Sequence, residues 1–188
     1  MAGIADYALV KYNNQGQLQW YKWLTDPNDN ATFNAVSITS TGNVVVQGYY
    51  NNSCTLGGQT LSTSGYHIFW GIYDASGNAI ALRDYAAATV QAWDSKLDAA
   101  DNLLVAGYSY TTNLKTLYKL DLTGNLIWTW EAGAGPGGMN AMTLDNTGAI
   151  YMTGEFSGPA DFNGTIYTPT PGTGGDAFVL KINPSGTL

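Results

Sequence analysis

Two short motifs alternate along this chain, and their recurrence restricts it to a fold built from repeated units. The first motif ends in a turn of the form x-x-x-Gly, with copies ending at Gly16, Gly77, Gly124 and Gly186. The second has copies that begin at Asn34, Gln91 and Asn140. Successive glycines of the first motif are 47 to 62 residues apart. Self-similarity at such a period is typical of repeat architectures, in which each unit is one small supersecondary structure.

Each copy of either motif predicts two β-strands joined by a tight turn. A type I turn followed by a residue with positive φ favours Gly at the last position, and Asp or Asn at the first position bonds back to the turn backbone. The predicted turns span residues 13–16, 40–43, 74–77, 121–124 and 145–148. In the second repeat Asp101 takes the place of the glycine, which is tolerated because Asp adopts the left-handed region comparatively well. The pattern predicts thirteen strands and no helix.

Several predicted strands are apolar at consecutive positions, as in Val44-Val45-Val46 and Ala177-Phe178-Val179-Leu180. Such strands place apolar side chains on both faces, which indicates sheets covered on both sides. Apolar residues make up 45% of the chain and charged residues 11%, so there is enough material for a core. Trp20, Trp70, Trp93, Trp128 and Trp130 are predicted to pack between sheets. A sheet stacked between two neighbours satisfies this pattern, and we predict an all-β fold.

Charge and residue counts exclude several classes of function. The net charge is −7 and the seven basic residues are scattered, so we expect no nucleic-acid partner. No apolar run long enough for a membrane span is present, and we expect no membrane insertion. His67 is the only histidine, from which we expect neither a zinc cluster nor a histidine-based triad. Cys54 is the only cysteine, and we interpret it as a small loop residue.

A unit of four antiparallel strands of this length is typical of one β-propeller blade. The segment Asp-Ala-Phe-Val-Leu-Lys-Ile-Asn-Pro-Ser-Gly from Asp176, and the stretch from Ala141 to Gly164, resemble the bacterial β-propeller repeat family of SBBP type. The resemblance implies four-stranded antiparallel blades whose first strand is innermost. It also implies a secreted or cell-surface protein of bacteria, and no particular activity.

On this basis residues 1–188 form a single repeat region with about three blades' worth of strands. The expected units are a half blade at 5–24, blades at 33–85 and 91–131, and an incomplete blade at 139–188. Because propellers close with four to eight blades, these strands are too few for a ring. We expect a fragment of a larger propeller or copies that join, with self-association through open sheet edges.

Binding residues are expected on the loops that escape the repeat pattern. In a four-stranded meander the tight turns lie at one end and the longer connections at the other, and loops on a rigid scaffold commonly carry function. We predict ligand-binding residues Tyr110, Asn113 and Tyr167 on these connections. The densest set of oxygen ligands suits Ca²⁺, which is the one cofactor expected, and consists of Asp26, Asn28, Asp29 and Asn30.

No catalytic constellation is predicted. The acids outside the repeat pattern are Asp26, Asp29, Asp84, Asp94, Glu131 and Glu155, and no motif pairs them. We therefore expect a non-catalytic structural or binding module of a secreted or surface propeller protein, with proteins or glycans as partners. The alternative is part of a propeller enzyme, a glycoside hydrolase or lyase, that acts on polysaccharide.

Overall fold

A computed structural model of the protein describes residues 7–24, 30–132, 138–172 and 174–188. These residues contain strands and turns and no helix, so no helix among them could cross a membrane. The strands are β1 (Ala8–Tyr12), β2 (Leu18–Trp23), β3 (Asn30–Ile38), β4 (Val44–Asn51), β5 (Ser53–Leu56), β6 (Gln59–Ser62), β7 (His67–Tyr73), β8 (Ala79–Tyr85), β9 (Val90–Leu97), β10 (Leu103–Ser109), β11 (Leu114–Leu120), β12 (Leu126–Ala132), β13 (Met139–Leu144), β14 (Ile150–Phe156), β15 (Ala160–Phe162), β16 (Thr165–Tyr167) and β17 (Asp176–Ile182).

The strands form four successive antiparallel sheets, which we number I to IV. Sheet I is β1-β2, sheet II is β3-β4-β7-β8, sheet III is β9-β10-β11-β12, and sheet IV is β13-β14-β17. The all-β prediction is confirmed. Two further hairpins, β5-β6 and β15-β16, lie in the connections inside sheets II and IV. Cys54 is therefore buried in strand β5 and not placed in a loop as the sequence suggested.

The predicted turns are present, with one shift of register. Backbone bonds from the fourth residue to the first close the turns that end at Gly16, Gly77, Gly124, Gly148 and Gly186. Asp101 closes the corresponding turn with a φ of 62°, as its residue type allows. The turn predicted at 40–43 begins one residue earlier, because Gly42 donates to the Thr39 carbonyl and the Thr39 hydroxyl accepts from Asn43. Thr39 thus takes the place that Asp has in other repeats.

A β-bulge in the first strand of each of sheets II, III and IV explains a second set of glycines. The extra residues are Asn34, Trp93 and Asn140. Opposite each bulge, the second strand carries Gly48, Gly107 or Gly154. A β-carbon there would overlap the carbonyl oxygen of Thr32, Gln91 or Gly138, respectively. None of these three glycines has a positive φ, so close contact and not backbone angle requires glycine.

Tryptophan side chains of sheets I, II and III form hydrogen bonds to a turn of the next sheet. The indole Nε1 of Trp20 donates to the Ala75 carbonyl at 3.1 Å. The indole of Trp70 donates to Leu122 at 3.1 Å, and that of Trp128 donates to Pro184 at 3.2 Å. All three acceptors are second residues of a turn between the third strand of a sheet and the segment that follows it. A β-carbon at Gly77 or Gly186 would lie 3.0 or 2.8 Å from the indole that rests there.

Three apolar clusters fill the spaces between consecutive sheets. One joins sheets I and II around Phe69 and Tyr50, one joins II and III around Trp70 and Leu103, and one joins III and IV around Leu117 and Met152. The first strands of neighbouring sheets are also bonded to each other. Asn34 on β3 donates to the Ala92 carbonyl of β9 at 2.7 Å, and Asp94 on β9 accepts from the Met142 amide of β13 at 2.7 Å. Each sheet therefore packs on its neighbours in chain order.

Candidate functional site

A row of five aromatic side chains runs across the connections of sheets II and III, and we call it the aromatic ribbon. Its members in spatial order are Tyr49, Tyr66, Tyr110, Tyr108 and Trp93. Tyr66 and Tyr110 stack at 5.6 Å with an interplanar angle of 26°. The flanking pairs meet at 5.7 Å (Tyr49–Tyr66), 5.2 Å (Tyr108–Tyr110) and 6.4 Å (Trp93–Tyr108). Tyr110 is 45% exposed and the other four are half-buried.

Backbone bonds between three connections hold the ribbon in place. The Tyr110 amide donates to the Thr89 carbonyl at 2.8 Å, and the neighbouring Val90 amide donates to the Tyr66 carbonyl at 2.7 Å. The Thr89 amide in turn donates to the Thr111 hydroxyl at 3.1 Å. The segment that leads into sheet III thus fixes the positions of both Tyr66 and Tyr110. Fixed loops reduce the entropy that a ligand would otherwise have to offset on binding.

Amide and hydroxyl groups border the ribbon. Gln91 accepts from the Tyr110 hydroxyl at 2.9 Å and donates to the Tyr49 hydroxyl at 3.2 Å. Asn113 has a φ of 60°, and its backbone amide donates to the Ser109 carbonyl at 2.8 Å. Thr112 donates to Glu131 at 3.0 Å, so a carboxylate lies near the same turn. An apolar ring surface with adjacent polar groups of fixed direction is the usual composition of a small-molecule site.

The Tyr110 phenol keeps its proton at neutral pH. Partial burial, followed by the neighbouring hydroxyls of Tyr66, Tyr108 and Tyr49, raises the pKa of Tyr110. A phenol with a raised pKa keeps its proton and remains a hydrogen-bond donor. The surface therefore offers ring faces, phenol donors and side-chain amides.

The predicted binding residues fall in two places. Tyr110 belongs to the ribbon, and Asn113 follows it in the same turn, with its side-chain oxygen 3.5 Å from the Tyr108 hydroxyl. Tyr167 lies on the β15-β16 hairpin, where its ring meets Phe162 at 5.9 Å. Sequence reasoning missed Tyr49, Tyr66, Tyr108 and Gln91, and it assigned Trp93 to the core alone. The missed signal is a tyrosine directly after the glycine that lies opposite the bulge in sheets II and III. Gly48-Tyr49 and Gly107-Tyr108 occur near the ends of the equivalent strands β4 and β10.

Tyr167 borders a groove of about 550 Å³ on sheet IV. Phe162 and Phe178 form its apolar floor, and Thr168 and Asp176 supply polar groups. Asp176 accepts from the amide and the hydroxyl of Thr170 at 3.0 and 3.2 Å, which ties the loop to the start of β17. The groove lies at the same end of the sheets as the ribbon.

The predicted calcium ligands cannot be placed. Asp26, Asn28 and Asp29 lie outside the described residues, and for Asn30 only the backbone, at the start of β3, is described. Across residues 7–24, 30–132, 138–172 and 174–188, no group of three or more His, Cys, Asp or Glu side chains comes together in a way that could hold a metal ion.

One histidine suffices for a hydroxyl–imidazole–carboxylate array, and the expectation that excluded such an array is wrong. The Thr63 hydroxyl lies 2.9 Å from His67 Nε2, and His67 Nδ1 lies 3.2 Å from Asp84 Oδ2. The order of groups is that of an acyl-transfer triad. Here the same carboxylate oxygen also accepts from the Tyr50 hydroxyl at 2.7 Å, and Thr63 accepts from the Gly65 amide at 3.3 Å. We assign the array a structural role, because it joins three strands of sheet II to the end of the β5-β6 hairpin.

Stability should decrease at alkaline pH because of two buried phenols, that of Tyr50 within this array and that of Tyr73 at the other end of β7. Burial and then the bond to Asp84 raise the pKa of Tyr50, and burial and then Cys54 raise the pKa of Tyr73 to about 12. An unfolded tyrosine titrates near pH 10. Above that pH the unfolded chain releases protons that the folded chain retains, so stability present at neutral pH is lost progressively from about pH 10 towards 12.

Urea unfolding between neutral pH and about pH 12 tests this, with midpoints compared for the original protein and Tyr73→Phe. The substitution should reduce the alkaline fall in the midpoint. An equal fall in both proteins would assign the effect to other groups.

Comparisons with known proteins show a similarity of fold and identify no family. No protein-family model matches the chain, and no curated protein matches it. A solved structure that is similar is the crystal structure of a protein of unknown function from Bacteroides caccae, at 12% identity and a TM-score of 0.50. The alignment covers 93% of this chain and 49% of that one, so this chain spans about half the length of the solved protein. At this identity the likeness shows the fold alone.

Proposed function

We propose that sheets I to IV are consecutive blades of a β-propeller of the bacterial SBBP type. The order of the strands supports this, because all four sheets are antiparallel and the first strands of sheets II, III and IV are joined in sequence by hydrogen bonds. The apolar clusters lie between consecutive sheets, as blade packing requires. The similar solved protein is about twice as long, which fits a larger ring of which this chain would supply part.

The function we propose is a non-catalytic binding module that recognises neutral glycans through the aromatic ribbon, within a secreted or cell-surface protein. The single observation that carries this is the stacked and partly exposed Tyr66–Tyr110 pair with Gln91 and Asn113 beside it. Tyrosine rings offer rigid contact area at low entropic cost, with a hydroxyl at the edge. The apolar face of a sugar ring suits such a surface, and the sugar hydroxyls suit the amides.

The charge of the molecule narrows the ligand class. With a net charge of −7, the protein repels anionic ligands at long range. Glu131 adds a local negative charge at the edge of the ribbon. Neutral or weakly basic glycans are therefore favoured over sulfated or uronic-acid polymers.

Screening on a glycan array, followed by calorimetry with the best neutral oligosaccharide, tests the proposal. Tyr110→Ala and Asn113→Ala should each weaken binding, Tyr110→Ala by about tenfold or more, since truncation of an aromatic anchor commonly costs about 2 kcal/mol. Tyr167→Ala reports whether the groove on sheet IV extends the site. Tyr12→Ala is the matched control, because Tyr12 is an exposed tyrosine on sheet I.

Two results would refute the assignment. The first is neutral-glycan binding that survives both ribbon substitutions in proteins whose thermal unfolding is unchanged. The second is an array profile confined to sulfated glycans.

A further inference from the structure

The tip of the β15-β16 hairpin holds the only Asn-Gly pair in the sequence, Asn163-Gly164. Phe162 pairs with Thr165 across the hairpin, so these two residues alone form the turn. Both have a positive φ, 57° for Asn163 and 83° for Gly164, as a type I′ turn requires. Both are exposed to solvent. The turn therefore presents an asparagine side chain to water directly before a glycine.

An exposed Asn-Gly pair can undergo deamidation, which is an intramolecular reaction. The backbone nitrogen of Gly164 loses its proton and attacks Cγ of the Asn163 side chain, ammonia leaves, and a cyclic succinimide remains. Glycine has no β-carbon that would hinder this attack. Water then opens the ring at either carbonyl carbon, which gives aspartate or isoaspartate at position 163. The first step requires that the Gly164 nitrogen give up its proton.

The Gly164 nitrogen is engaged in the folded protein. Its N–H donates to Oδ1 of Asp161 at 2.6 Å. A hydrogen bond to an ionised group is stronger than one between neutral groups, and this one stabilises the protonated amide. A carboxylate is too weak a base to remove the proton of a peptide amide, and its negative charge disfavours an anionic nitrogen beside it. The contact with Asp161 therefore opposes the step that makes the nitrogen nucleophilic.

The second inserted hairpin, β5-β6, has the same kind of turn without either of these groups. Its turn residues, Gly57 and Gly58, also have positive φ. Counted from the turn, Gly57 is the equivalent of Asn163, and Thr55 is the equivalent of Asp161. The carboxylate is thus present in the hairpin whose turn carries a reactive amide and absent from the one whose turn carries none.

We propose that Asn163 is a deamidation site and that Asp161 suppresses the reaction while the hairpin is folded. The hydrogen bond should slow deamidation by at least about tenfold, since contacts to charged groups are worth at least that factor. Isoaspartate would lengthen the turn by one backbone atom. That change would disturb the register of β15 and β16, and with it the burial of Phe162 between sheets III and IV.

Incubation of the intact protein in mildly alkaline buffer, followed by mass spectrometry of its peptides, tests the proposal. Asp161→Ala removes the acceptor and should raise the rate of deamidation at Asn163 by at least about tenfold. Asp161→Asn keeps an acceptor without the charge, and its rate should lie between the two. In urea, where the hairpin is unfolded, the three proteins should react at the same rate.

Two control variants are matched to this hairpin. Ile166→Ala changes the exposed cross-strand neighbour of Asp161 and should leave the rate as it is in the original protein. Asn163→Gly should abolish the mass change in this peptide, and the glycine at the equivalent position 57 shows that the turn accepts it.

Three results would overturn the proposal. The first is an original protein that deamidates at Asn163 as fast when folded as in urea. The second is an Asp161→Ala variant that reacts no faster than the original protein, which would show that the carboxylate has no effect or promotes the reaction. The third is an Ile166→Ala variant that reacts as fast as Asp161→Ala, which would assign the protection to the hairpin as a whole.

Discussion

Gly107→Ala should lower the free energy of unfolding by about 3 kcal/mol, because the new methyl group meets backbone on the neighbouring strand and cannot be relieved by a side-chain rotation. The β-carbon would overlap the Gln91 carbonyl oxygen and lie 3.1 Å from the Ala92 Cα. Relief would require the bulge at Trp93 to open, which would displace one end of the aromatic ribbon. Denaturant unfolding followed by circular dichroism measures the loss.

Gly42→Ala separates this contact effect from the general cost of losing a glycine. Gly42 has a φ of 86°, and a β-carbon added there would have no heavy atom within 4 Å, so only backbone strain applies. We expect a cost of about 1 to 2 kcal/mol there. If Gly107→Ala cost no more than Gly42→Ala, the explanation of the second-strand glycines by the bulge would be wrong.

Trp70→Ala should be the most destabilising substitution in the chain's core, at about 3 to 5 kcal/mol, since it removes a large buried side chain. Trp70 is fully buried between sheets II and III and donates to the Leu122 carbonyl. Trp70→Phe keeps an aromatic ring but loses the hydrogen bond to the Leu122 carbonyl. We expect the loss of that hydrogen bond to lower the free energy of unfolding by about 1 kcal/mol. Thermal and denaturant unfolding of both variants would separate packing from hydrogen bonding.

Val179→Ala is the matched control for Trp70→Ala. Each residue lies four positions before the turn that follows the third strand of its sheet, and Val179 is 73% exposed. The Val179→Ala substitution should change the free energy of unfolding by no more than about 0.5 kcal/mol. Comparable costs at the two positions would show that the difference in burial does not determine the loss of stability.

Most of the fold could be predicted from the sequence because turn chemistry is local. The Asp121 carboxylate accepts hydrogen bonds from Thr123, Gly124 and Asn125. The bond from the Thr123 side chain, followed by those from Asn125, lowers the pKa of the Asp121 carboxyl. A Gly or Asp at the last turn position then sets the length of each hairpin. The missed strands β5, β6, β15 and β16 have three or four residues each, too few for a periodic pattern to emerge.

The candidate site was less accessible to sequence reasoning because contacts distant in the chain create it. Tyr66 and Tyr110 are 44 positions apart and stack only because Thr89 and Val90 bond to both of their segments. Likewise, Thr63, His67 and Asp84 meet because β7 and β8 pair in one particular register. The number of histidines could not reveal that array, because a hydroxyl–imidazole–carboxylate array needs only one histidine. Whether it forms depends on which residues the fold places next to that histidine.

The tryptophan bonds between sheets have an evolutionary consequence. Each indole donates to a main-chain carbonyl, and the residues that own these carbonyls are as different as Ala75, Leu122 and Pro184. Mutation at the acceptor position therefore leaves the acceptor atom intact, and neighbouring units can diverge without co-adapting. Drift of this kind erases similarity between repeats, and between proteins, faster than it erodes the architecture that those repeats build.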